Sequence, residues 1–244
     1  MSAPAANIDR LAPGLRPDRL AWGYQNWRRL LFLHWAVPVA ALRRLVPRSF
    51  ELDLYDGVAY VGVVPFVMEG VRPRLAPPAT AMNFLETNVR TYVVKDGVPG
   101  VYFFSLEAAS RLAVEVARLM FALPYHYASM RLEGGAESTR YQSRRSGSGA
   151  LFNVHCSVGE ALGPSLLGSI EHFLIERYWL FTEREGTPCK GQVHHAPYPV
   201  HHAHVVGVRD QLVQAAGLPA PQGPPAFAHY SPGVDVEVFA LQPI

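Results

Sequence analysis

Apolar positions along this chain recur mostly at a period of two, the spacing of a strand that turns one face inward. Residues 27–35 read as a strand, and 84–92 sort into two clean faces, with Leu85, Thr87, Val89 and Thr91 on one and Glu86, Asn88, Arg90 and Tyr92 on the other. Asp56-Gly57 and Asp96-Gly97 suit the positive backbone angles of a tight turn, which predicts hairpins of 50–55 with 58–68 and of 84–94 with 98–106. Strands follow at 125–133, 137–145 and 150–158, separated by Gly134-Gly135 and by a turn at Gly147 and Gly149, and again at 191–196, 202–208 and 233–241.

The period changes to that of a helix in only a few places. Pro38 is suited to the first helical position, and Val39, Leu42 and Leu45 follow at helical spacing before Pro47. In 108–121, Leu112, Val116 and Leu119 form one stripe that Leu123 continues, with Arg111, Glu115 and Arg118 roughly opposite, the period of an amphipathic helix that Pro124 closes. Shorter helices are predicted at 165–176 and 210–216. Residues 1–20, broken by Pro13, Gly14 and Pro17, read as an arm, and 21–244 as a single domain without repeats or linkers. The fold class is α+β with predominantly antiparallel strands.

Composition narrows the function more than the fold. Of 244 residues 49% are apolar and 17% charged, which excludes disorder, collagen and coiled coil. The net charge is +2, and the basic pairs Arg28-Arg29, Arg43-Arg44 and Arg144-Arg145 are dispersed, so a nucleic-acid partner is not expected. No signal-peptide core and no run approaching the roughly 18 apolar residues of a membrane span is present, so the expectation is a soluble cytoplasmic protein without a membrane partner. Cys156 and Cys189 are too few for a disulfide framework and read as structural thiols.

Chemistry concentrates on two strands. Residues four apart on a strand stand roughly 13 Å apart, so Glu86 and Arg90 do not neutralise each other along it, and the face they share is either a solvated sheet surface or a pocket wall. On 125–133, Tyr125, Tyr127, Ser129 and Arg131 share one face, while His126 keeps company with Ala128, Met130 and Leu132, a setting for a core histidine that burial would hold neutral and able to act as a base. Five histidines fall in 194–204, but without an Asp or Glu among them, and with Pro197 and Pro199 interrupting, surface or core histidines are favoured over a metal site. The spacings of a nucleophile elbow, a zinc-protease helix, a CxxC pair and a dinucleotide loop are absent.

The runs LFLHW (31–35), FLETNVRTYV (84–93), GVYFFSLEA (100–108), ARLMFALPYHYASM (117–130) and HYSPGVDVEVF (229–239) together resemble the uncharacterised YqjF/DUF2071 family, which is similar to the acetoacetate decarboxylase superfamily. The resemblance implies a partly closed, barrel-like sheet around a central pocket with a few flanking helices. Residues 117–128 match the decarboxylase segment G-R-E-x-x-G-x-P-K-K-x-A in length, in Arg118, in Pro124 and in Ala128, but Tyr125 and His126 stand at the two lysines. Lys95 and Lys190 are the only lysines of the chain, so decarboxylation through an imine at that segment is excluded.

What the resemblance leaves is Glu86, at the carboxylate of a Y/F-x-E motif, as a proton shuttle, with Tyr125 as donor to a carbonyl oxygen. Arg118 or Arg90 would hold a carboxylate, with Asn88 and His126 as further contacts. The partner implied is a small organic acid or carbonyl compound; no cofactor and no metal is implied, and a homo-oligomer is left open. The alternatives are a non-catalytic ligand-binding protein and, more remotely, a metal-dependent enzyme built on the histidine cluster.

Overall fold

Turns at acid-glycine pairs organise the first half of the chain. The computed structural model describes residues 8–135 and 137–244; of the expected arm 1–20, residues 1–7 lie outside the described residues. In order along the chain come β1 (Gly23–Val37), α1 (Val39–Leu45), β2 (Glu51–Leu52), β3 (Ala59–Pro73), β4 (Met82–Lys95) and β5 (Val98–Ala108). They are followed by α2 (Arg111–Phe121), β6 (Tyr125–Gly134), β7 (Ser138–Arg145), β8 (Leu151–Gly163), α3 (Ile170–Ile175) and β9 (Trp179–Arg184). The chain closes with β10 (Thr187–His194), β11 (Val200–Asp210), α4 (Leu212–Ala215), β12 (Phe227–Val238) and β13 (Gln242–Pro243).

These strands form one mixed sheet in the order β13-β10-β9-β5-β6-β7-β8-β11-β12-β1-β3-β4-β2. Further pairings, β4 with β5 and β10 with β12, fold the sheet back on itself, so it is partly ringed around an interior. Only the ladders of β5 with β6 and with β9 are parallel.

The β4–β5 hairpin forms as its sequence predicts, with Asp96 (φ 51°) and Gly97 (φ 77°) between paired Lys95 and Val98. Asp56-Gly57 makes the same turn but only the isolated bridge Tyr55–Val58 follows it. The expected hairpin of 50–55 with 58–68 is replaced by β2 on β4, Glu51 opposite Val94 and Leu52 opposite Val93. The reason lies in the neighbouring ladders: β3 pairs with β4 only as far as Thr91, which leaves the edge beyond it free for β2.

Strands β1, β3 and β4 are buried on both faces, which is why their sequences run apolar for long stretches. Leu31, Leu33, Val61, Val63 and Val89 point into one core beside Phe152 and Val154. The even-numbered Leu30, Phe32, Val64, Phe66 and Tyr92 point into a second core beside Phe173 and Leu174. Arg29 takes a left-handed conformation (φ 54°) inside β1, and Trp27 and Leu30, three residues apart, both face that second core.

Helix α2 starts from Ser110, whose hydroxyl accepts from the Ala113 amide at 3.2 Å, and ends at Ala122 in the left-handed region. It spans the short crossover between the parallel neighbours β5 and β6, and that path turns Val114, Ala117 and Phe121 toward the sheet. The stripe of Leu112, Val116 and Leu119 consequently faces outward, 64%, 41% and 78% exposed, the reverse of the usual disposition of an amphipathic helix.

Elsewhere Pro38 is the N-cap of α1 rather than its first residue, and the predicted helix 165–176 shrinks to α3. The strand expected at 191–196 lies earlier, at Thr187–His194, and β9 has no counterpart in the sequence reading. The end of the arm is tied down by ion pairs: Arg10 meets Asp53 at 2.7 Å and Arg16 meets Glu237 at 2.7 Å.

Candidate functional site

The even-numbered face of β4 is a pocket wall. Glu86, Asn88 and Arg90, only 3%, 6% and 8% exposed, line an internal cavity that opens to solvent. Tyr125 of β6 and Arg177, two residues past α3, add the other main polar groups, and the remaining walls are mostly apolar, among them Trp27, Phe32, Phe66, Phe103 and Trp179.

At one end of this wall Tyr125 Oη donates to Glu86 Oε2 at 3.1 Å. Burial drives the Glu86 carboxyl up to about 8; the Tyr125 hydrogen bond pulls against this, and the Glu107 charge adds to it. Burial and the neighbouring Glu86 likewise push the Tyr125 phenol well above its usual range. At neutral pH the pair is therefore mostly a carboxylic acid beside a phenol. The single phenol proton can turn from Glu86 to a ligand oxygen in either protonation state of the carboxyl, and once ionised Glu86 is free to accept a proton.

Arg90 occupies the other end. Its Nη2 donates to Leu174 O at 3.0 Å, and its guanidinium lies 5.5 Å from the Phe32 ring centre and 5.8 Å from that of Tyr92. Tyr92 Oη also donates to Leu174 O, at 2.7 Å. That spends its only proton, so His34 Nε2, 2.7 Å from Tyr92 Oη, is the donor of that pair. Burial and the Arg90 charge hold His34 neutral, its pKa well below the usual range. Gly62 makes room for this ring, since a Cβ there would stand 3.1 Å from His34 Cδ2 and Nε2.

Arg177 is fixed by Asp53 at 2.7 Å and by Phe173 O at 2.7 Å, while its Nη2 has no partner among the described residues. Arg90 Nε and Asn88 Oδ1 are buried without partners as well.

Two residues expected at the site are elsewhere. Arg118 stays on the outer rim of α2, where its Nε donates to the backbone oxygen of Tyr125 at 2.8 Å and its Nη1 lies 3.5 Å from Glu115. It braces the start of β6 and does not line the cavity. His126 pairs in register with Glu107 on the opposite strand face from Tyr125. There burial, then the Arg145 and Arg118 charges, lower its pKa to about 4.

The histidines of 194–204 are dispersed: His195 stacks on Tyr178, ring centres 4.6 Å apart, and His202 lies against His229. Among the described residues no group of three or more potential ligands is arranged to hold a metal ion. Arg177 and His34 were not singled out from the sequence, yet both carry a signal there, an ionisable side chain inside an apolar run: FLIERYWLF for Arg177 and LLFLHW for His34.

A family model described as an uncharacterised conserved protein, DUF2071, matches residues 24–235. The uncharacterised protein YqjF of Bacillus subtilis (strain 168) is 36% identical over 228 residues, spanning 93% of this chain and 94% of YqjF. Among solved structures, the enduracididine biosynthesis enzyme MppR complexed with pyruvate superposes with a TM-score of 0.65 at 12% identity, over 93% of this chain and 91% of MppR. Acetoacetate decarboxylase from Legionella pneumophila superposes with a TM-score of 0.60 at 12% identity, over 100% of this chain and 98% of the enzyme. At such identities the likeness is one of fold.

Proposed function

We propose that this chain, which belongs to the DUF2071 family and has an acetoacetate decarboxylase-like fold, binds an organic acid or carbonyl compound in its cavity and moves a proton on it by general acid–base chemistry. The observation that carries the reading is the Tyr125–Glu86 hydrogen bond of 3.1 Å inside a largely apolar cavity, with the carboxyl raised to about 8. That MppR, of the same fold, has been seen with pyruvate supports a carbonyl-bearing acid as ligand.

In this reading Tyr125 Oη donates to the ligand's carbonyl oxygen, which acidifies the neighbouring carbon. Ionised Glu86 takes a proton from that carbon: the C–H bond breaks, its electron pair becomes the enolate, and Tyr125 holds the oxygen on which the charge settles. Return of the proton to carbon completes the cycle. Arg90 holds the carboxylate, and Asn88 lies between the two ends. With Tyr125 and His126 at the positions of the decarboxylase lysines, no imine forms, and borohydride reduction in the presence of acetoacetate is expected to trap no adduct.

The test is exchange of the protons beside the ketone with deuterated water, followed by proton NMR over a series of methyl-ketone acids of increasing length. Wild-type protein should accelerate exchange on at least one of them, with a rate that rises through a pH of about 8 and then levels, because only ionised Glu86 is the base. Glu86→Gln should lower that rate by roughly 100-fold or more, and Tyr125→Phe should lower it as well. A wild-type chain that binds members of the series but exchanges none is a non-catalytic ligand-binding protein, and the acid–base reading then fails.

A further inference from the structure

The charge balance at the Arg90 end is incomplete. Arg90 is 8% exposed, yet it makes no ion pair with any carboxylate among the described residues. Arg177 lines the cavity beside it, both guanidinium groups lying against the ring of Tyr92, at 5.8 and 4.9 Å. Its one carboxylate, Asp53, is shared with Arg10, whose Nη1 and Nη2 take both oxygens at 2.8 and 2.7 Å. The nearby Glu176 is occupied in another direction, by Tyr178 Oη at 2.7 Å and the Tyr198 amide at 3.0 Å. A buried guanidinium without a counter-ion is costly, and two N–H groups, Arg90 Nε and Arg177 Nη2, are buried there without partners. Both facts call for an anion at this end.

The anion end and the acid–base end are far apart. Glu86 and Arg90 are four residues apart on a strand whose register with β3 is unbroken between Phe66 opposite Glu86 and Gly62 opposite Arg90, which separates their backbones by roughly 13 Å. Their side chains are held by different neighbours, Glu86 by Tyr125 on β6 and Arg90 by Leu174 O and the rings of Phe32 and Tyr92. Between them the wall is apolar apart from Asn88, whose cross-strand neighbours are Val64 and Leu106. With the backbone spacing taken as the spacing of the two ends, allowing about 3 Å for a hydrogen bond at each leaves on the order of 7 Å for the ligand itself, about six carbon–carbon bonds. A β-keto acid, with its two polar groups two bonds apart, cannot serve both ends at once.

We propose that the ligand is elongated and bipolar: a carboxylate seated on the guanidinium groups of Arg90 and Arg177, a hydrocarbon middle against Val64 and Leu106, and a ketone at Glu86 and Tyr125. This rests on the acid–base reading of Glu86 and Tyr125 and specifies the class of substrate it acts on.

Three probes separate the elements of the inference by isothermal titration calorimetry on the whole chain. They are acetoacetate, the oxooctanoate with five methylenes between ketone and carboxylate, and methyl hexyl ketone, which has the same length without the carboxylate. The oxooctanoate should bind at least ten-fold more tightly than either of the others. Arg90→Met should weaken oxooctanoate at least ten-fold more than it weakens methyl hexyl ketone. Acetoacetate binding as tightly as the oxooctanoate overturns the elongated ligand and leaves the small-acid reading standing. Methyl hexyl ketone binding as tightly overturns the anion end alone, and binding of none of the three overturns the inference, while deuterium exchange judges the acid–base reading separately. The comparison of probes on wild-type protein decides the matter even where Arg90→Met does not fold.

Discussion

Glu86 destabilises the fold over part of the pH range. Burial pushes its carboxyl up to about 8 in the folded chain, against 4.5 ordinarily. Between those values the unfolded chain releases this proton while the folded chain keeps it, so stability falls as pH rises through the window and levels above it. Glu86→Gln removes this term. The variant should gain stability relative to wild type between pH about 5 and about 8, by up to a few kcal/mol, measured by chemical denaturation at both ends of the window. A stability difference independent of pH would show that Glu86 ionises like an exposed carboxylate and would remove the basis of its proposed role. His34 works in the opposite sense: burial keeps it neutral in the fold, so its contribution is lost as pH falls below the ordinary value of 6.5.

Strand β5 carries the join that shapes the interior, with β4 antiparallel to it and β6 and β9 parallel. Gly100 is where β9 comes closest, for a Cβ there would lie 2.6 Å from both Phe181 Cε2 and Trp179 O. One contact is with backbone and cannot turn aside. Gly100→Ala should therefore cost about 1–3 kcal/mol through strain at this junction, visible as a lowered unfolding midpoint, whereas an unchanged midpoint would mean that β9 sits more loosely than its contacts imply. At this scale the sequence is readable where a structure is local. The Asp96-Gly97 turn was legible because its own backbone angles need those residues, while the pairing of β2 with β4, and of β9 with β5, depends on which strand edges remain free after the rest has assembled.

Across the whole molecule, Asp53 ties together three parts of the chain, the stretch after β2, Arg10 in the arm and Arg177 beyond α3. Asp53→Asn leaves Arg177 buried without a charge partner and should cost about 3–5 kcal/mol. The double variant Asp53→Asn, Arg177→Met removes the stranded charge and should be less destabilised than Asp53→Asn alone. Equal losses in equilibrium unfolding would mean that Asp53 acts through Arg10 rather than through this pair. The same network steadies Arg177, one of the two cationic groups lining the cavity, so if the proposed anion site holds, Asp53→Asn should also weaken oxooctanoate binding.

Alternation by itself determined that Glu86, Asn88 and Arg90 share a face, that Tyr125 and His126 point to opposite sides, and that the chain is mostly antiparallel strand, because each of these follows from bonds between near neighbours in sequence. The choice between a solvated face and a pocket wall was made only when strands from both ends of the chain closed over β4, since burial is a property of what arrives on the other side. Arg118 and α2 mark the same boundary. Helical period expected the Arg111, Glu115 and Arg118 row opposite the apolar stripe, but the crossover from β5 to β6 buried a third face, Val114, Ala117 and Phe121, which left both rows outward and bent Arg118 back onto the Tyr125 backbone. Arg177, remote in sequence from β4, entered the cavity only through tertiary packing against Asp53 and Phe173, because a charge within an apolar run declares that it needs a partner without saying which one.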